Sequence, residues 1–179
     1  VVPVVTHQLV RFCEERLAVT PMVVGEEGVK LNIDVQTDDP AQVGADRLVN
    51  AVAVAAAGDV PAIILDFGTA TTFDVVRPAA PDSDGSAIYA GGVIAPGVHR
   101  SVEALVAAAA KLPGLAIENF DLDLPVLGTS TQSAMKSGVL WGYVGLIDGL
   151  LARLKAESGM AEAVVIGTGG LASLFAPHI

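Results

Sequence analysis

The sequence predicts a layered α/β protein, and three observations carry that expectation. The short apolar run Ala62-Ile63-Ile64-Leu65 has the length and composition of a buried strand and opens a meander of three strands. Alanine-rich segments with helical periodicity lie on both sides of it, at 40–57 and about 99–111, and a longer one follows at 131–158. A fourth strand at 162–166 then runs into Gly167-Thr168-Gly169-Gly170 and a last helix. The second part thus reads βββ-α-α-β-α, the order of an α/β layered domain.

Taken from the start, Val1-Val2-Pro3-Val4-Val5 is β-branched and reads as an edge strand, with Pro3 confining it there. Thr6 is the expected N-cap of a helix over 7–17, whose apolar face is Leu9, Val10, Phe12, Cys13 and Leu17. A short strand is expected at 20–24, a turn at 25–28, and an alternating strand at 30–36. Asp38-Asp39-Pro40 starts the helix at 40–57, and Gly58 with Pro61 closes it. After the strand at 62–65 comes the tight turn Asp66-Phe67-Gly68-Thr69-Ala70, a strand at 71–76, a polar loop at 78–85 and a strand at 86–94. Pro113-Gly114 ends the next helix, 115–128 is irregular, and the last helix breaks at Pro177. The first part, β-α-β-β-α, is shorter, but its order of elements is similar to that of the second.

Composition narrows the function classes. With 179 residues, 52% of them hydrophobic, the chain can bury a core and is not disordered. Twenty acidic against ten basic side chains give a net charge of −10, and a pI near 4.5 excludes nucleic-acid binding through bulk charge. A phosphorylated ligand would need backbone N–H groups, a metal ion or a local cation. Cys13 is the one cysteine, so no intrachain disulfide or cysteine zinc site exists. The longest uncharged stretch, 163–177, is too short and too glycine-rich to span a bilayer, for which about 20 apolar residues are needed. No basic region precedes an apolar segment, so a cytoplasmic setting without membrane partners is expected.

Three groups of residues carry chemistry. Asp66-Phe67-Gly68-Thr69-Ala70-Thr71-Thr72 stands at a strand end: successive N–H groups of its turn can form an anion cradle, and Asp66 can hold a cation that bridges phosphates. An ordinary hairpin rich in threonine is the alternative. Gly167-Thr168-Gly169-Gly170 follows a strand and opens a helix, a place for a backbone-mediated nucleotide contact or simply a tight connection. Gly44-Ala45-Asp46-Arg47 sets a carboxylate that can accept a hydroxyl proton beside a guanidinium that can pair with an anion, near the start of an otherwise almost uncharged helix. Gly138, Gly142, Gly145 and Gly149 recur at helical spacing and expect a close neighbour, from this chain or from a second copy. His7, His99 and His178 show no ligand spacing and read as surface or capping residues.

These segments together resemble the type III pantothenate kinases, of the superfamily that joins acetate and sugar kinases with actin. The resemblance rests on "VGADRLVNAVA" from Val43, "DFGTATTFDVV" from Asp66, "YAGGVIAPGV" from Tyr89, "AAAKLPGL" from Ala108, "LGTSTQSAMKSGVLWGYVGLIDGL" from Leu127 and "VIGTGGLA" from Val165. It implies an actin-like (ribonuclease H-like) ATPase fold, with 1–59 the remainder of an N-terminal domain including the linking helix and 60–179 the C-terminal domain. It implies phosphorylation of the pantothenate hydroxyl by ATP with Mg2+, the first step of coenzyme A synthesis, and a monovalent cation, K+ or NH4+. By position, Asp46 is the implied catalytic base within the substrate-contacting run Gly44, Ala45, Asp46 and Arg47. Asp66 matches the monovalent-cation site, Gly68, Thr69, Gly169 and Gly170 the ATP contacts, and Thr131 a pantothenate contact reached across a homodimer interface.

Two departures from the family pattern stand out. Its opening strand with an Asp-x-Gly-Asn-Thr phosphate turn has no match here, so an N-terminal part of the pattern is expected upstream of Val1. Thr37 stands where the family often has a tyrosine that contacts pantothenate. The rival expectations are an accessory transcriptional regulator, since such proteins share this family's sequence, and a ligand-binding remnant without catalysis.

Overall fold

The computed structural model describes residues 3–26, 28–79, 87–109, 112–117, 120 and 123–179. Its centre is a five-stranded mixed sheet in the order β1-β4-β3-β2-β5. The strands are β1 (Asp34–Val35), β2 (Ala62–Phe67), β3 (Ala70–Pro78), β4 (Ala87–Pro96) and β5 (Val164–Gly169). β2, β3 and β4 form the expected antiparallel meander, while β5 joins β2 and β1 joins β4 in parallel.

Helices cover both faces. α3 (Val98–Ala108), α4 (Thr131–Ser158) and α5 (Ala172–Phe175) pack on one, around Ile63, Leu65, Phe67, Phe73 and Val75. On the other, α2 (Ala45–Ala57) lays Ala51 and Val54 over Ile64, Val76 and Tyr89. Successive residues of β2 alternate between two separate cores, as the pleat requires. Nearly the whole strand is therefore apolar, the pattern of a strand buried on both faces. Gly58 caps α2 at φ +81, with its N–H on Ala55 O and Val54 O, as the sequence predicts.

The N-terminal expectations need correction. α1 is a helix over Pro3–Leu17 that begins inside the segment expected to be a strand, and Thr6 lies within it rather than capping it. Proline at the first helical position loses no hydrogen bond and brings a φ suited to the helix, which outweighs the weak β preference of the flanking valines. Val1 and Val2 lie outside the described residues. No strand forms at 20–24, and the strand expected at 30–36 shrinks to β1. The helix expected from 40 begins as a 3₁₀ turn, Pro40–Gln42, capped by Asp39, and restarts at Ala45. Most of the loop at 78–85 and the last residues expected in the helix at 99–111 fall outside the described residues.

α4 starts with a capping box in which the Ser130 hydroxyl accepts from Ser133 N and the Ser133 hydroxyl accepts from Ser130 N. One side of α4 is buried through Leu140, Tyr143, Val144 and Ile147. A Cβ built at Gly138, Gly142 or Gly145 meets nothing within 4 Å. At Gly149 a Cβ would stand 3.3 Å from Arg153 Nη1 of the same helix, so among the described residues no other element packs closely on the stripe.

Candidate active site

The site gathers on the α2 face of the sheet, where the even-numbered residues of β2 and β3 point. β2 ends in Asp66, paired with Thr72 of β3, and Asp74 follows two residues later. All three face the first turns of α2, which carry Asp46, Arg47 and Asn50.

Local structure explains each placement. Gly44 is the N-cap of α2, and the Asp46 carboxylate folds back so that its Oδ1 accepts from Arg47 N at 3.0 Å. A Cβ at Gly44 would stand 2.5 Å from that oxygen, so glycine leaves the room the carboxylate occupies. Asp46 lies in the first turn, where the positive end of the helix dipole favours its charge. It remains exposed.

Arg47 reaches down to the sheet. Its Nε donates to Asp74 Oδ1 at 2.7 Å, and its Nη2 lies 2.6 Å from the same oxygen. The second contact is ionic only, because the N–H bonds of Nη2 are not aimed at Asp74. They find no acceptor among the described residues, although the atom is buried. Asp74 is 0% exposed and also accepts from the Tyr89 hydroxyl at 2.7 Å and the Thr72 hydroxyl at 3.2 Å. Burial first, and then the bond to Asp74, push the Tyr89 phenol above its ordinary range, so it stays a proton donor.

Asp66 Oδ2 accepts from Asn50 Nδ2 at 3.2 Å. Burial raises the Asp66 pKa and the Asn50 bond opposes that; the negative charges of Asp46 and Asp74 then add to the rise. On the other side, a Cβ at Gly169 would stand 2.6 Å from both Asp66 Oδ1 and Phe67 O, and Gly169 has φ +88. Glycine is thus required where β5 runs past the end of β2.

The turn after Asp66 is closed by Gly68 N donating to Ala70 O at 3.0 Å. Gly68, Thr69 and Gly170 line one cleft of about 480 Å³ together with His99, Arg100 and Glu103 from the start of α3. Thr131 lines a different cleft, of about 690 Å³, with Leu105, Met135, Gly138 and Tyr143. Tyr143 of this second cleft donates to Pro96 O at 2.9 Å and shares a hydrogen bond with Ser101 at 2.6 Å. Thr37 sits beside Gly91, which has φ +95, and its buried hydroxyl has no partner among the described residues.

The structure therefore brings Asp46, Arg47 and Asp66 together under α2, sets Gly68, Thr69, Gly169 and Gly170 around the end of β2, and leaves Thr131 in a cleft of its own. Sequence reasoning missed Asn50, Asp74 and Tyr89. A signal existed for Asp74, an acidic residue inside an apolar strand two positions from Thr72, because such a residue must find partners to be buried. His99, read as a surface or capping residue, lines the smaller cleft. His178 packs edge-on against Trp141 at 5.2 Å.

A family model described as type III pantothenate kinase matches residues 1–153. The chain is 51% identical to a type III pantothenate kinase of Paramagnetospirillum magneticum, over 98% of this chain and 64% of the relative. It is 49% identical to that of Rhodospirillum centenum, over 98% and 65%, and 48% identical to that of Caulobacter vibrioides, over 98% and 63%. The chain thus spans slightly less than two thirds of the length of these curated relatives. Among solved structures, one described as a Baf family transcriptional activator from Campylobacter jejuni superposes with a TM-score of 0.53 at 19% identity, over 83% of this chain and 59% of that one. That similarity concerns the fold.

Proposed function

This chain belongs to the type III pantothenate kinase family, and from that premise we propose that the protein transfers the γ-phosphoryl group of ATP to the hydroxyl of pantothenate, yielding 4'-phosphopantothenate for coenzyme A synthesis. The observation that carries the proposal is the juxtaposition under α2 of an exposed carboxylate, Asp46, a partly exposed guanidinium anchored on Asp74, Arg47, and a second carboxylate, Asp66, at the mouth of a glycine-lined turn.

Phosphoryl transfer asks a protein mainly to position its reactants and neutralise charge. Asp46 is the base that takes the hydroxyl proton, held in orientation by Arg47 N. The Arg47 guanidinium pairs with the carboxylate of the acceptor, as planar two-pronged donors do. Gly44 and Ala45 shape the edge against which that acceptor lies, and Thr37 offers a hydroxyl beside it. N–H groups of the Gly68-Thr69 turn and of Gly169-Gly170 receive the nucleotide phosphates. Thr131 contributes to the acceptor site of a partner copy in a homodimer.

Asp66 Oδ1 stands with Phe67 O around Gly169, an all-oxygen set that suits a hard cation. The pKa rise at Asp66, partly from Asp46 and Asp74, marks a shortage of positive charge that such a cation would relieve. Asp66 would hold K+ or NH4+, and Mg2+ would arrive with ATP; bound there, these cations supply neutralisation of phosphate charge. The strand order, an antiparallel meander extended by a parallel strand, supports an actin-like (ribonuclease H-like) fold. A boundary at 59/60 falls between α2, the linking helix, and β2. A cytoplasmic setting fits a chain in which no helix among the described residues is long and apolar enough to cross a membrane.

The test is incubation of the full-length protein with ATP, Mg2+, K+ and pantothenate, with the phosphorylated product read by mass spectrometry. Product is expected. Its absence, with the nucleotide also unhydrolysed, would return the protein to a regulatory or ligand-binding role.

A further inference from the structure

Asp74 and Tyr89 reach one face of the sheet through an irregularity in strand pairing. Asp74 pairs with Gly92, and an unbroken antiparallel register would then set Tyr89 opposite Arg77. Instead Tyr89 pairs with Val76, because β4 spends one extra residue between these two pairs. A shift of one residue moves a side chain to the opposite face of a sheet. The bulge, with Gly91 at φ +95, therefore turns Tyr89 away from the α3–α4 core and onto the face that holds Asp74.

There the two residues enclose Arg47. The guanidinium carbon lies 5.8 Å from the centroid of the Tyr89 ring, and the Tyr89 hydroxyl and Arg47 Nε share Asp74 Oδ1, each at 2.7 Å. The neighbouring Gly92 leaves room for this packing, since a Cβ there would stand 3.1 Å from Arg47 Nη2 and 1.8 Å from Phe73 O. One edge of the guanidinium is consumed by Asp74, with Nε and Nη2 both on its Oδ1, one face rests over Tyr89, and the side chain keeps 16% exposure. A guanidinium gripped on one edge and one face has few orientations left to it.

We propose that Asp74 and Tyr89 are positioning residues that hold the Arg47 guanidinium in one orientation, with the part of the side chain that stays exposed turned to the anionic group of the acceptor substrate. The role of the substrate rests on the function proposed above; the orientation of Arg47 does not. Tyr89 acts through Asp74, whose Oδ1 it shares. Held in this way, Arg47 meets a carboxylate with little rotamer entropy left to lose on binding.

Two measurements on the full-length protein test this. The first needs no substrate: hydrogen exchange of the Arg47 Nε–H, followed by ¹⁵N NMR and assigned with Arg47→Lys. Slow exchange is expected in the wild type, faster exchange in Tyr89→Phe, and loss of protection in Asp74→Asn. Tyr89→Phe removes one oxygen and leaves the ring in place, so it serves even if Asp74→Asn fails to fold. Equal exchange in wild type and Tyr89→Phe would overturn the positioning role. The second is a kinetic cycle. Tyr89→Phe should raise KM for pantothenate roughly threefold and Asp74→Asn roughly tenfold, with KM for ATP unchanged. In an Arg47→Ala background Tyr89→Phe should add nothing. An equal rise there, or an equal rise in KM for ATP, would show that Tyr89 does not work through Arg47. A wild type that leaves pantothenate unphosphorylated would refute the kinase reading alone, because the exchange measurement still decides the orientation.

Discussion

Asn50 and Asp66 join the second turn of α2 to the end of β2, with Asn50 Nδ2 donating to Asp66 Oδ2 at 3.2 Å. The bond ties the helix that carries Asp46 and Arg47 to the strand end that carries the proposed cation ligand. It only partly offsets the burial that raises the Asp66 pKa, to which Asp46 and Asp74 add. A carboxyl whose pKa is higher folded than unfolded binds its proton more tightly in the folded protein. Stability therefore falls as pH rises from the ordinary value of 3.8 through the raised one. Asp66→Asn, which keeps an oxygen for Asn50, should melt above the wild type at neutral pH without added metal ions. The advantage should vanish below about pH 4. Thermal melts across pH check this; a lower melting temperature for the variant at pH 7 would contradict it.

Cation dependence is a separate expectation. Full-length protein should lose most of its turnover when K+ and NH4+ are replaced by Na+, and K+ should raise the melting temperature of the wild type but not of Asp66→Asn. Turnover indifferent to the monovalent ion would remove Asp66 from that role.

Asp46→Asn should lower kcat by about 100- to 10,000-fold, the usual contribution of a positioned base. Because Asp46 is exposed, the circular dichroism and melting temperature should stay near those of the wild type. Near-normal turnover would reject the base.

A Cβ at Gly142 meets none of the described residues within 4 Å, so a leucine there displaces none of them and improves helix propensity by roughly 1 kcal/mol. If the stripe is the face of a homodimer, Gly142→Leu should yield a folded monomer by light scattering coupled to size exclusion. An unchanged oligomer would place the dimer contact elsewhere.

The contrast between these residues shows how far the sequence reaches. β2, the meander and α4 were legible because apolar runs and helical spacing are local, and their boundaries moved by only a few residues. α1 was misread at its start because two valines on either side of a proline carry opposing signals, and only the course of the backbone decides between them. Asp46, Arg47 and Asp66 were legible as candidates through short motifs, and the fold brings the three together. Tyr89 was not, since its meaning depends on a one-residue bulge that pairing creates and composition does not record. Asn50 needed the crossing of α2 over β2, a relation between segments rather than within either.

The alternation along β2 has a practical consequence. Ile63 belongs to the layer of α3 and α4, whereas Ile64, the next residue, belongs to the layer of α2 and the carboxylates. Two adjacent codons thus address different properties of the molecule. Trimming Ile63 loosens the side that carries the two clefts; trimming Ile64 loosens the floor beneath the proposed acceptor site. Adaptation of one surface can proceed through odd positions of the strand while even positions keep the carboxylates and Arg47 aligned.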